Sequence, residues 1–292
     1  PSNDTAYADL AGDRSKRFRI NAWKGFVAFD YIRKLFREIR PYELNNGETE
    51  AVYQAAIKKV EKCIENNSRG LRRLLVETAG EFMSVKVDRS RRRPVVAVLG
   101  EIYMRDNAGC NGNIANRLEE LGAEVVIGPF SEWITYSTHR FARDSRWKND
   151  TKGLIKSKIQ GIGQEVIVDY LLRGINKYTD TTRDVSLHEI LKLSNKYVSE
   201  FYDGDPPIAM GSSEALAKRG VSGIAAILPF TCMPGTLIAS VSDSFRKDNN
   251  NIPFINIPYD GQDTVSLETR LQAFMFQVRE YAEARQPVSS HQ

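Results

Sequence analysis

The feature that most constrains this chain begins at Pro94. An apolar run, VVAVLGEIY, leads through the polar loop RDNAGCNGN into a segment of helical pattern, IANRLEELG, and a second apolar run, AEVVIGPF, follows. Gly122 ends the helix, as glycine commonly does where a left-handed residue is needed. Two short buried strands joined through one helix form a βαβ unit, so the strands must run parallel. A parallel sheet is covered on both faces, which is why its strands read as continuous apolar runs and not as alternation. The tract Gly223–Thr236, GIAAILPFTCMPGT, repeats the pattern: a strand, a short turn and a helix opened by Pro234 and Gly235. NIPFINIPYDG reads as a further strand ending at Asp260, and TVSLETRLQAFMFQVREYAEAR closes the chain as an amphipathic helix. The order predicts an α/β fold: a doubly wound, mostly parallel Rossmann-like sheet over residues 94–292.

The remainder is helical in pattern. From about residue 21 to 83, apolar positions such as Phe26, Phe29, Ile32, Leu35 and Phe36 recur at helical spacing, with breaks at Pro41 and at Asn66 to Gly70. Residues 1–93 are therefore expected to form a mainly helical section. A long helical insertion is expected at about 131–202, broken near Asn149 and Asp180, with Ser131 as helix cap and Glu132 and Trp133 in its first turn. A helix is expected over Ser213–Lys218. Cys63 falls inside a helix and reads as structural, and the GIGQ at Gly161–Gln164 lies in a helical pattern, so it is no nucleotide loop.

Charge and cysteine usage exclude several classes of protein. The 41 basic residues nearly balance 37 acidic ones, so no strong polyanion partner is implied and no nucleic acid is expected. The run Arg89, Arg91, Arg92, Arg93 has no interleaved aromatics and reads as a solvated connection, with a docking surface or phosphate rim as the alternative. Three scattered cysteines cannot make a disulfide framework. No CxxC, Walker A, GxGxxG or HExxH motif occurs, and His139 and His188 lie in helical patterns. No apolar stretch is long enough for a bilayer and no signal peptide is recognisable, so a soluble, cytoplasmic chain is expected. The sequence begins PSNDTAYADL without an initiator Met, which fits a fragment or a processed form.

In open parallel sheets, ligands bind beyond the carboxyl ends of the strands. Three polar clusters fall there: Glu101 to Asn113, Thr231 to Thr236, and Tyr259 to Asp263. Cys232 follows a strand and precedes a helix, where unpaired N–H groups and the helix dipole favour a thiolate. It reads either as a ligand or nucleophile, or as a buried structural thiol. Gly109 and Gly112 free backbone N–H groups in the Cys110 loop, which suits an anion or cluster, or is a plain βα loop. Where adjacent strands carry the three clusters, Cys110, Cys232 and Asp260 converge on one crevice. Glu101 and Asp260 are candidates for pocket lining, with turn and capping chemistry as the alternative.

Taken together, VLGEIYMRDN, LEELGAEVVIGPFSEWITY, PFTCMPGT, IPFINIPYDGQ and TRLQAFMFQ resemble the carboxyl-terminal part of large CoA-enzyme activase-like proteins. That part is related to the 2-hydroxyacyl-CoA dehydratase D-component, the benzoyl-CoA reductase subunits and the double-cubane cluster proteins. WKGFVAFDYIRKLFREIRPYE resembles the stretch that precedes these motifs, so the likeness covers nearly the whole chain. The resemblance implies a low-potential iron–sulfur cluster, of the 4Fe–4S kind, held by thiolates at strand ends. It implies as partners an ATP-hydrolysing activase module, in the same or another chain, a CoA thioester substrate, and homo- or hetero-dimer assembly. Cys232 in PFTCMPGT is then the metal ligand, and Cys110 a second candidate that the resemblance does not require. Glu101, Tyr103, Asn107, Gly109, Gly112, Thr231, Gly235 and Asp260 would line the cofactor site. Three cysteines cannot hold a four-thiolate cluster, so the resemblance implies further ligands upstream of residue 1 or from a partner. The ATP-binding motifs of the activase module are absent, so the chain is expected neither to hydrolyse ATP nor to act as an enzyme alone.

Overall fold

The computed structural model describes residues 15–180, 182, 184–260 and 265–285. In chain order the first elements are α1 (Ser15–Ile39), α2 (Glu48–Glu65), α3 (Leu71–Ser84), β1 (Val95–Gly100), α4 (Ile102–Asp106), α5 (Ile114–Glu120) and β2 (Glu124–Ile127). They are followed by α6 (Phe130–Trp147), α7 (Thr151–Leu172), α8 (Leu187–Ser194), α9 (Pro206–Lys218), β3 (Gly223–Pro229), α10 (Met233–Asp248), β4 (Phe254–Tyr259) and α11 (Val265–Arg285). No helix among the described residues is long and apolar enough to cross a membrane. The chain divides into two compact units, one of residues 1–88 and 130–180, the other of 89–129 and 181–292.

The first unit is helical. Trp23, Val27, Tyr31, Leu35 and Ile39 recur every four residues along α1 and are all buried, in one core with Leu71, Leu75 and Phe82 of α3 and Leu171 of α7. Pro41 stops α1 and tightens the chain into a 3₁₀ turn over Arg40–Tyr42. The Tyr31 hydroxyl donates to the Ile175 carbonyl at 2.8 Å, and the Trp23 indole to the Gln164 carbonyl at 3.2 Å, which ties α7 and its exit to α1. Cys63 packs at the edge of this core, its thiol facing the Arg69 carbonyl at 3.2 Å, and burial pushes that thiol up from its ordinary pKa.

The start of α6 corrects the expected cap. Ser131 lies within the helix, and the residue that satisfies the helix's first N–H groups is Asp30 of α1. Its carboxylate accepts from Phe130 N at 2.9 Å and Ser131 N at 2.8 Å, while Arg33 holds it at 3.0 Å. Replacing Asp30 by Ala removes a cap and leaves the buried Arg33 without this carboxylate, so it should cost about 2 kcal/mol. Urea unfolding reads this directly; an unchanged midpoint would show that water caps α6 equally well.

The second unit carries a four-stranded, all-parallel sheet in the order β2-β1-β3-β4. Val95 pairs with Glu124, Val96 with Gly223, and Ile224 with Phe254. Every residue of β1 is buried, as two covered faces require. Val96, Val98, Ala225 and Ile227 pack with Ile114, Leu118, Leu271 and Met275 in one core. Val95, Ala97, Leu99, Ile224 and Ala226 pack with Met210, Leu216, Ile238 and Phe245 in another. A mixed α/β fold with a parallel sheet is thus present. β1 is shorter than VVAVLGEIY because Gly100 turns the chain at φ +113, and Ile102 and Tyr103 already belong to α4. The helix expected from Ser213 starts seven residues earlier, at Pro206, since prolines are tolerated in a first turn.

Candidate functional site

Because all four strands are parallel, their carboxyl ends share one edge, and the predicted residues can be followed along it. Gly100 brings β1 so close to β3 that a side chain there would strike the Ile227 backbone. Directly after it, Glu101 donates its N–H to the Ile227 carbonyl at 3.0 Å. Its carboxylate caps α4, accepting from Met104 N at 2.8 Å. Capping is therefore the role seen for Glu101, the alternative raised from its sequence context.

The loop after α4 is built by its own polar side chains. Asn107 Oδ1 accepts from Gly109 N at 3.0 Å and Cys110 N at 3.3 Å, while its amide donates to the Tyr103 hydroxyl at 2.8 Å. Asn111 is buried and donates to the Met104 carbonyl at 2.6 Å. Gly112 lies at φ +59 with Tyr259 of the β4 end directly against it, where a Cβ would meet the tyrosine hydroxyl. Cys110 packs, like Tyr259, against the core that contains Ile114, its sulfur 3.9 Å from the Tyr103 hydroxyl. These contacts give Asn107, Gly109 and Gly112 a part in shaping the loop.

The β3 end carries the second cluster. Phe230 N donates to the Tyr259 carbonyl at 2.9 Å, joining this turn to the β4 end. Thr231 takes a left-handed φ of +62, unusual for a β-branched residue, and its hydroxyl donates to the Phe230 carbonyl at 2.6 Å. Cys232 is half-buried, forms no disulfide and stands as the amino-terminal residue flanking α10. Its carbonyl accepts from Thr236 N at 3.0 Å, while its side chain does not cap the helix. Gly235 packs against Leu228, where a Cβ would come within 3.1 Å, so its small size serves helix-on-strand packing. Tyr103, Phe230 and Met233 are exposed along the same edge. Asp260 follows β4 and is exposed, whereas Gly261, Gln262 and Asp263 lie outside the described residues.

One residue of this edge went unrecognised in the sequence. Asp205 precedes α9, and Ile102 N donates to its carboxyl group. Burial, and then the neighbouring Glu101 carboxylate, push its pKa up to about 6, against the pull of Arg105. Gly204, at φ +107, sits 3.8 Å from Pro234 by its ideal Cβ, so the Asp205 loop adjoins the start of α10. The only local signal was the DPP at residues 205–207, an aspartate before a helix opened by proline.

Cys110 and Cys232 do not share one packing environment. Cys110 lies beside the core formed with α5 and α11, whereas Cys232 opens α10, whose Ile238 and Phe245 belong to the core on the other face. Among the described residues, no three His, Cys, Asp or Glu side chains are grouped so as to hold a metal ion. The described residues alone therefore do not provide the donor set of a complete cluster. Comparison of the chain with models of protein families, with curated proteins and with solved structures finds no match.

Proposed function

We propose that the chain is part of a CoA-enzyme activase-like or 2-hydroxyacyl-CoA dehydratase-like protein. In this reading its second unit is a doubly wound, Rossmann-like domain that offers Cys232 as one ligand to an iron–sulfur site completed from outside this chain. The observation that carries the reading is the position of Cys232: half-buried, free of any disulfide, between the end of β3 and the first turn of α10. A thiol at a strand end and a helix start is suited to charge-bearing ligation. When bound, the cluster would supply low-potential electron transfer. The chain's own part is to hold the thiol in place through the Thr236 N–H bond and the left-handed turn at Thr231. The exposed Tyr103, Phe230 and Met233 would form the surface that meets the activase module. No ATP chemistry is assigned to this chain.

A second reading has one observation in its favour. The Asp205 carboxyl, raised to about 6 beside Glu101, lies at the edge where an acyl-CoA would seat its thioester without any metal. Anaerobic reconstitution with iron, sulfide and excess small thiol separates the two. The chain should take up iron, and Cys232→Ser should lose it by about tenfold or more while keeping its circular dichroism spectrum, since even outer-shell changes cost 10–100-fold in metal affinity. Iron retained by Cys232→Ser would overturn the assignment. An iron-free but folded chain that binds acyl-CoA in calorimetry would select the second reading.

A further inference from the structure

The long helix α7 is turned inside out for a surface helix. Over its first four turns it buries the small and polar Gly153, Ser157 and Gln164 and exposes a run of large apolar residues, before Leu171 re-enters the core in its last turn. Ile155, Ile159, Ile162, Val166 and Tyr170 are each between 55 and 66% exposed, far beyond what scattered surface apolars require. Small residues on the inner side explain the close packing on α6, where Gln160 also reaches Thr138 at 3.0 Å. They do not explain the outer stripe. Ile155, Ile159, Ile162 and Val166 are spaced four, three and four apart, the alternation of a coiled-coil seam, and Ser157, Gln164 and Leu171 fall diametrically behind it.

The charges beside this seam select its partner. On one flank stand Lys158 and Glu165, both exposed and without an ion-pair partner among the described residues. Seven residues apart on one helix, they are separated by about 10 Å and cannot pair with each other. Against a second α7 running antiparallel, the same flank faces itself, and Lys158 of each copy meets Glu165 of the other. A parallel pair would instead set Lys158 opposite Gly163 and Glu165 opposite Tyr170, with no complementarity. A self-complementary patch of this kind is what a two-fold dimer needs.

We infer that the exposed face of α7 is a homodimer interface, in which two copies pair antiparallel through Ile155, Ile159, Ile162 and Val166 and two Lys158–Glu165 contacts. The inference stands independently of the proposed iron–sulfur role. Sedimentation velocity of the full chain over a range of concentrations tests it. The chain should dimerise, and Ile159→Glu/Ile162→Glu should be monomeric with an unchanged circular dichroism spectrum, because both side chains are exposed on the single chain, and should lose the concentration dependence of melting that a dimer has. Lys158→Glu should weaken the dimer by roughly tenfold, replacing two attractions with two repulsions. Adding Glu165→Lys to that variant should restore it. A chain that stays monomeric at high concentration would overturn the inference and leave the face to a different protein or segment. A dimer indifferent to Ile159→Glu/Ile162→Glu, or not restored by the charge swap, would overturn it as well.

Discussion

Gly100→Ala should destabilise the second unit by about 2 to 6 kcal/mol, read as a fall in the urea midpoint at constant slope. Two effects add. The backbone at φ +113 is one that L-residues rarely adopt, and strain of that kind costs about 1 to 3 kcal/mol. The new methyl would also meet the carbonyl and nitrogen of Ile227, for a further 1 to 3 kcal/mol typical of overpacking. Relief is blocked because Ile227 pairs with both Gly100 and Ile257, so neither strand can retreat without breaking a ladder. Gly122→Ala provides the control. Its φ is +96, but nothing lies within 4 Å of a Cβ there, so only the strain of about 1 to 3 kcal/mol applies. If both variants lose the same stability, the close approach of β1 to β3 contributes nothing.

The contrast between these glycines marks where reading the sequence succeeds and where it stops. Apolar runs identified the cores of all four strands, and parallel pairing followed from the helix between VVAVLG and AEVVIG. That Cys232 stands between a strand and a helix was legible because the signals, an apolar run and then Pro234, are local. The cap of α6 was not, since Asp30 lies about a hundred residues from Phe130 and a nearer serine offered the same chemistry. The start of α9 was hidden because Pro206 and Pro207 read as breakers although the first turn accepts them. On α7, an apolar pattern without helical asymmetry concealed which side faces the core. The burial of Gly153, Ser157 and Gln164 together with Leu171 reveals which side is the inner one.

Asp205 is the extreme case, because its character comes entirely from residues distant in sequence, and its titration should be visible in the stability of the fold. Its pKa is raised from 3.8 to about 6, first by burial and then by the Glu101 carboxylate, with Arg105 opposing. A carboxyl group whose folded pKa is raised binds its proton more tightly in the native state. Its stabilising contribution is therefore complete below about pH 3.8 and is lost as pH rises through about 6. Two pH units correspond to about 3 kcal/mol, which partial exposure of the group reduces to about 2 kcal/mol. Asp205→Asn keeps an acceptor for Ile102 N but carries no charge. It should match the parent chain near pH 3.5 and exceed it by about 2 kcal/mol at pH 8. Glu101→Gln retains an oxygen for Met104 N while removing the like charge, so the transition should move toward lower pH in that variant. Urea unfolding across this range decides the matter. Parallel curves for the parent and Asp205→Asn would mean that solvent reaches Asp205 freely, and that the edge beside Cys232 holds no proton ready for transfer near pH 6.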